Sequence, residues 1–579
     1  MKEGRYQYQE KIGEGGMATV YKGLQTSLNR PVAIKVLSAT LSSNPSVIKR
    51  FQRESLIIAR LNHPNIITVI DKGTTSKGRP VFVMEYVEGV TLSEIIREQK
   101  LDYYERIDIA IQICKGVAYA HKLDVIHRDI KPANVIVDKE GHARLLDFGI
   151  ASFFKADTSD SPDETRLIMG TEAYMAPEQQ RGIGETTKRS DIYSLGVVMY
   201  ELLAGHLPAP HDPPLSALNN KVTPEIESLV ASCLNADPEK RPQSVEEVKT
   251  RLLVAMKGQH IDADQADRAG QGMTAVANKF GLLDVMQEDK HGAVYLYEDK
   301  TSHKLLVIKK KTASKKGFRE AKVLQSLKHP NLVNILGTSK NDNVFIVVMD
   351  YIAGGSLQDR LVEPMPLQTF LRIATQACKG LQFAHRNRIL HGNLRPSNIL
   401  LTENLQVKLT DFGMDEHYRL RAESRNWYGE REGQKDELSD IYSLGAVFYH
   451  MLTSHPPSFK EGRLVKSQHF VNLPRDIQRL IERMLDFQRD ARPQSVEAVA
   501  SELIPFIKEE KTLVQEGQKD DVAPRVIERV VEVRRVNWLT IALAVFFILS
   551  VSLNVLLLSE QHEQIRTLVW EWVRRWNVF

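Results

Sequence analysis

His127-Arg128-Asp129-Ile130-Lys131-Pro132-Ala133-Asn134, with Asp147-Phe148-Gly149 beginning 18 residues beyond Asp129, is the stretch that decides how this sequence is read. Its weight comes from the ordered company it keeps. Upstream, an alternating apolar pattern around 6–12 predicts a strand that runs into Gly13-Glu14-Gly15-Gly16-Met17-Ala18-Thr19-Val20. Glycines at such a hairpin let the backbone approach phosphates without a Cβ in the way. Val32-Ala33-Ile34-Lys35 then predicts a semi-buried strand ending in a lysine, whose ammonium needs an anionic partner away from water. Glu54, on a helix-like segment that follows, is a candidate for that partner. Each feature alone is weak, because glycine-rich hairpins are common and a strand lysine is usually a solvated edge charge. Downstream come Ala176-Pro177-Glu178 and a late Arg241.

Taken in order and at these spacings, the glycine loop, VAIK, Glu54, HRDxKPxN, DFG, APE and Arg241 resemble the eukaryotic-type protein kinases. The wording GEGGMATVY looks most like the bacterial membrane-bound serine/threonine members. The resemblance implies an α+β bilobal fold and ATP-dependent phosphorylation of serine and threonine with Mg²⁺. By that resemblance Ile12, Gly13, Glu14, Gly15, Gly16, Met17, Ala18 and Val20 cover ATP, with Ala18 standing where the third glycine of the pattern would be. Lys35, held by Glu54, meets the α- and β-phosphates, and Glu85 and Val87, just after Met84, belong to the hinge that takes adenine. Asn134 and Asp147 are the implied Mg²⁺ ligands, both through oxygen, as a hard cation prefers. Asp129 would accept the substrate hydroxyl proton, and Lys131 matches the serine/threonine-specific pattern and would meet the transferring phosphate. Between Asp147 and Glu178, Thr158 and Thr165 are candidate phosphorylation sites whose phosphates would pair with Arg128, while Thr171 suits a structural or substrate-positioning role. The alternative is a plain solvated serine/threonine-rich loop.

The same pattern returns. FQRESLIIARLNHPNI (51–66) recurs as FREAKVLQSLKHPNL (318–332), QICKGVAYAH (112–121) as QACKGLQFAH (376–385), and SDIYSLGVVMYELL (190–203) as SDIYSLGAVFYHML (439–452). A repeat of this length is a duplicated globular domain rather than a solenoid. Copy one is assigned to 6–256 and copy two to 280–508, joined by a polar linker at 257–279. In copy two Gln287 and Asp289 stand for Gly13 and Gly15, and His391-Gly392-Asn393 for His127-Arg128-Asp129. An asparagine amide is no carboxylate base. Arg395 replaces Lys131, and the segment after Asp411-Phe412-Gly413 is shorter and lacks a recognisable APE. Lys309, Glu320 and Asn398 persist, so copy two reads as a pseudokinase with a regulatory or docking role; a folded spacer is the plainer alternative.

The 579 residues carry 77 Lys plus Arg against 73 Asp plus Glu, a net charge of +4 that does not point to nucleic acid. Three cysteines, Cys114, Cys233 and Cys378, are too few and too scattered for a disulfide framework or a zinc site, which suits a reducing cytosol. The polar N-terminus lacks the apolar core of a signal peptide. WLTIALAVFFILSVSLNVLLL (538–558) has no charge and, at about 1.5 Å per residue, matches a bilayer. The sequence therefore predicts two tandem kinase-like folds, a juxtamembrane segment at 509–534, one transmembrane helix at 536–558 and a short outer tail at 559–579. Basic residues number five in 518–537 and three in 559–578, which favours kinase domains on the cytoplasmic side of the inner (plasma) membrane. ATP, serine/threonine protein substrates and the lipid bilayer are the expected partners. A homodimer would allow loop phosphorylation in trans, although no sustained heptad supports it. A scaffold that recruits partners through both folds is the rival from another class.

Overall fold

The computed structural model describes residues 5–15, 18–39, 42, 48, 59, 61–99, 101–148, 172–181, 186–271, 279–289, 292–312, 318–340, 344–413, 428–429 and 435–516. The chain divides into two compact units, 1–509 and 510–579, and the first of them holds both copies of the repeat.

The first domain opens with β1 (Tyr6–Glu14), β2 (Ala18–Gln25), β3 (Arg30–Leu37), β4 (Val69–Thr74) and β5 (Pro80–Glu85) in an antiparallel sheet of order β1-β2-β3-β5-β4. In β3 the β-branched residues Val32, Ile34 and Val36 fill one face with Tyr6, Val81 and Val83. Period-two alternation therefore puts Ala33, Lys35 and Leu37 on the other face, toward the helical lobe. That lobe is built on α1 (Leu92–Glu98), α2 (Tyr103–Lys122), α3 (Lys188–Ala204) and α4 (Val245–Met256). Asp102 and Glu105 form a capping box that starts α2, and Ile107, Ala110, Ile111, Cys114, Val117, Ala118 and His121 give it a buried stripe at helical spacing.

The second domain repeats this plan. After α5 (Ala263–Gly270) come β6 (Phe280–Asp289), β7 (Gly292–Asp299), β8 (Leu305–Thr312), α6 (Phe318–Gln325), β9 (Ile335–Lys340) and β10 (Val344–Asp350). Their sheet runs β6-β7-β8-β10-β9, matching the first strand for strand, and α7 (Leu367–Arg386) and α8 (Glu437–Thr453) repeat α2 and α3. The registers agree as well: Gly13 pairs with Val20 and Val20 with Lys35, as Gln287 pairs with Val294 and Val294 with Lys309.

One sequence expectation gains detail and another changes. The segment 257–279, read as a polar linker, contains α5, whose Ala269 is fully buried against Tyr295, Tyr297 and Ile308. A small residue lets the helix lie close on the sheet, and the Lys310 ammonium donates to the carbonyls of Arg268 (3.0 Å), Gln271 (2.6 Å) and Ala269 at the helix C-terminus, where cations are favoured. The fold with a transmembrane helix is corrected to two kinase-like α+β domains without one. Among the described residues no helix is long and apolar enough to cross a membrane, and 536–558 lies outside them. The 20-residue helices α2 and α7 carry Glu105, Arg106, Asp108, Lys115 and Lys122, or Arg372, Lys379 and Arg386.

Candidate active site

In the first domain the chain leaves α2 at Lys122 and turns into the loop 125–131, which one buried carboxylate holds in shape. Asp191 at the start of α3 accepts hydrogen bonds from the backbone amides of His127 (2.7 Å) and Arg128 (2.8 Å) and pairs with His121 Nε2 at 2.7 Å. Burial alone would raise its pKa, but His121, His127 and the Arg128 amide keep it below the usual carboxylate range. The His127 ring is buried against Phe148, with Nε2 2.9 Å from the Leu146 carbonyl. Arg128 takes a left-handed φ of +67°, which swings the next residue out of the loop.

That residue is Asp129, 9% exposed. Its Oδ2 lies 2.9 Å from Lys131 Nζ and accepts from Asn134 Nδ2 at 2.9 Å, and the same amide donates to the Asp129 carbonyl at 2.8 Å. With its nitrogen committed to Asp129, the amide oxygen of Asn134 is the atom a hard cation would use. Across the cleft Lys35 Nζ meets Asp147 Oδ2 at 2.5 Å. Burial pushes the Asp147 carboxyl upward, but Lys35, His127 and Lys131 outweigh it and hold the group ionised below the usual range. Asp147 sits at φ +49°, a left-handed conformation that a non-glycine residue adopts only when its surroundings impose it.

Glu54, the expected partner of Lys35, lies outside the described residues, as do Gly16, Met17, Thr158 and Thr165. Of the glycine loop, Ile12, Gly13 and Glu14 end β1, Ala18 and Val20 begin β2, and the turn closes through Gly15 N–H donating to the Ala18 carbonyl at 3.0 Å. Glu85 ends β5, pairs in register with Val32 and accepts from the Thr68 amide at 2.8 Å; Val87 comes two residues on. Beyond the activation segment, Glu178 and Arg241 form a buried two-pronged ion pair (2.6 and 2.9 Å), with Ser190 Oγ donating to Glu178 at 2.8 Å. Gln179 Nε2 donates to the Arg128 carbonyl at 3.2 Å and ties this segment to the loop. Sequence reading passed over the role of Asp191; the recurrence of SDIYSLG in both copies was its signal.

In the second domain Asp440 takes the place of Asp191, accepting from the His391 and Gly392 amides at 2.8 Å each and pairing with His385 at 2.8 Å. Lys309 Nζ reaches both oxygens of Asp411 at 2.9 Å, and Glu320 of α6 packs so closely on Gly413 that a Cβ there would come within 2.9 Å of it. At the position of Asp129, Asn393 Oδ1 accepts from Arg395 Nε at 2.8 Å, and Asn398 Nδ2 donates to the Asn393 carbonyl at 2.8 Å. The scaffold of the loop is intact while its carboxylate is gone.

The family model for the protein kinase domain matches residues 6–253 and 288–509. The chain is 39% identical over 278 residues to the serine/threonine-protein kinase PknB of Mycolicibacterium smegmatis, covering 45% of this chain and 44% of the relative. It is 37% identical over 281 residues to a probable serine/threonine-protein kinase of Streptomyces coelicolor, 45% of this chain and 42% of that one. To PknB of Mycobacterium tuberculosis it is 35% identical over 299 residues, 48% of this chain and 47% of the relative. The chain thus spans less than half the length of these curated relatives.

Proposed function

The chain belongs to the protein kinase family, both of its copies matching the domain, and on that premise we propose that it is a serine/threonine protein kinase whose first domain transfers phosphate from ATP to protein hydroxyls and whose second regulates the first. The observation that carries the reading is the cluster of Asp129, Lys131 and Asn134 facing the Lys35–Asp147 pair across one cleft. Phosphoryl transfer asks a protein for alignment and charge compensation rather than covalent help. Asp129 orients the attacking serine or threonine hydroxyl and accepts its proton, and Lys131, 2.9 Å away, balances charge on the moving phosphoryl group. Lys35 draws the α- and β-phosphates to the strand, and the hinge around Glu85 and Val87 receives adenine. Two oxygen donors, Asp147 and Asn134, suit Mg²⁺, which would neutralise the phosphate oxygens. Such chemistry needs ATP and therefore belongs in the cytoplasm.

The second domain lacks the base, carries Gln287 and Asp289 where the first has Gly13 and Gly15, and keeps Lys309, Asn398 and Asp411. That combination supports a pseudokinase, able to hold a nucleotide and unable to transfer its phosphate. The test is incubation of the full chain with Mg-ATP and a serine/threonine peptide, with phosphosites mapped by mass spectrometry. Phosphate on peptide and on Thr158 or Thr165 is expected. Absence of transfer from folded protein would overturn the proposal.

A further inference from the structure

The second domain touches the first at the stem of the catalytic loop. Helix α2 ends at Lys122, seven residues before Asp129, and charged residues near its C-terminal end, Lys115 and Lys122, meet the second domain. Lys115 meets Asp284 of β6 at 3.0 and 3.1 Å. Asp284 is 7% exposed; burial would raise its carboxyl, but His260 and Lys115 take it down to about 2. Lys122 reaches the loop that comes after β10, where a Cβ on Gly355 would stand 2.8 Å from its ammonium, and Arg360 Nη1 donates to the Lys122 carbonyl at 3.4 Å.

A second line of contact starts at the hinge of the second domain. Asp350 pairs with Leu306 as Glu85 pairs with Val32, so Tyr351 is the counterpart of Tyr86, beside the strip that takes adenine in the first domain. The Tyr351 hydroxyl donates to Glu246 Oε1 of α4 at 2.5 Å. Glu246 is 7% exposed and in turn lies 2.6 Å from Lys249 and 3.9 Å from Lys122. Around this polar chain the apolar core is continuous, for Leu283 of β6 and Leu296 of β7 belong to the buried cluster of the first domain's helical lobe. A buried ion pair held in such a setting reports small displacements, because moving one partner leaves the other charge uncompensated.

The geometry points to nucleotide control across this contact: an adenine nucleotide seated in the second cleft, without being turned over, promotes phosphotransfer by the first domain through Tyr351, Glu246 and Lys122. The inference rests on the reading of the second domain as a kinase fold that binds without transferring. The ligand class comes from the cleft, where a hinge in the same register and the Lys309–Asp411 pair remain at its two ends. Occupation of the hinge orders Tyr351, Tyr351 holds Glu246, and Glu246 with Arg360 fixes the end of α2 from which the catalytic loop departs. Tyr351 and Glu246 are positioning residues and touch no reacting atom.

The test uses the full chain. Val307 stands on β8 where Ala33 stands on β3, in the buried cluster with Met349, so Val307→Phe closes the second cleft, while Tyr351→Phe cuts the contact and leaves the cleft open. Equilibrium dialysis with a radiolabelled non-hydrolysable ATP analogue should find two nucleotides on the parent and on Tyr351→Phe, and one on Val307→Phe. Peptide phosphorylation should fall about fivefold in kcat in either variant, with little change in KM for ATP, and no further in the double variant. One nucleotide on the parent overturns the ligand, and two nucleotides with kcat unchanged in Tyr351→Phe overturns the coupling. A parent that binds nucleotide and transfers no phosphate overturns the kinase reading and this proposal with it.

Discussion

Asp129→Asn removes one charge and almost no volume, so its effect isolates the base. In the parent the carboxylate is 9% exposed and lies between Lys131 Nζ and Asn134 Nδ2, each 2.9 Å away. Both donors meet the same oxygen, Oδ2, so an amide that places its oxygen there still accepts from Lys131 and Asn134 and loses only the negative charge, which weakens each bond by about 1 kcal/mol. The fold tolerates this: the second domain carries Asn393 at the same place, with Arg395 donating to it at 2.8 Å. Chemistry should not tolerate it. Removing a positioned general base is worth about 10²–10⁴ in rate, or about 3–5 kcal/mol of barrier at 1.36 kcal/mol per decade. The assay is radiolabelled phosphate transfer to a serine/threonine peptide by the full chain, beside ATP-analogue affinity and a thermal midpoint. Transfer should drop at least a hundredfold while affinity stays within about twofold, since Asp129 contacts neither the hinge nor the glycine loop. A folded Asp129→Asn chain that keeps more than about a tenth of parental transfer would refute the assignment of the base.

Arg241→Met strands Glu178 in a buried site and should cost about 3–5 kcal/mol in a denaturant titration of the first domain's transition; a loss below about 1 kcal/mol would show that the pair does not hold the activation-segment end. Gly258 has φ +77°, and a Cβ there would collide with the Leu282 carbonyl oxygen, so Gly258→Ala should loosen the interdomain contact and speed proteolysis around 258–279; an unchanged cleavage rate would argue against it. Burial pushes the fully enclosed His391 imidazole down to about 4, so between about pH 6.5 and 4 the unfolded chain binds the proton and the folded one does not. Stability therefore falls as pH drops through that window, by about 2 kcal/mol from this ring between pH 6.5 and 4.5. His391→Leu should flatten the acid limb of urea midpoints measured across it, and an equal acid loss in parent and variant would remove His391 as the cause.

How much of this was open to sequence reading depends on how far apart the cooperating groups lie. Asp129, Lys131 and Asn134 fall within six residues, so a single turn of chain brings them together and the motif shows the cluster. The Lys35–Asp147 pair joins a strand to a distant loop; the family resemblance placed both residues at the ATP site but gave Lys35 to Glu54 and Asp147 to Mg²⁺, so their direct contact was not foreseen. The recurrence of SDIYSLG marked Asp191, but nothing in the sequence says that its carboxylate turns inward to bond the amides of His127 and Arg128, 64 and 63 residues earlier. The domain contact was equally hidden: Lys115, Glu246 and Asp284 look like solvated surface charges until a second lobe covers them. Within the linker, polar composition hides the spacing that buries Ala269. An uncharged run with Arg534, Arg535 and Trp538 at its start led to the span at 536–558, which lies outside the described residues; among those residues no helix is long and apolar enough to cross a membrane.

Comparison of the two loops separates what shapes them from what reacts in them. Both keep the histidine–aspartate pair that anchors the backbone, at 2.7 Å in the first domain and 2.8 Å in the second. Both also keep the left-handed turn that presents the next residue, Arg128 at φ +67° and Gly392 at φ +63°. A side chain in that conformation costs about 1–2 kcal/mol, which glycine avoids. Strain of this kind persists where a function requires the side chain. Arg128 carries the strain in the domain that has Asp129, the proposed base, whereas the second domain has glycine and Asn393 at these places and keeps the shape. A domain serving only as a spacer would have no need of the loop's shape. Its retention, beside a hinge that contacts the first domain through Tyr351, fits a fold kept for binding and for contact.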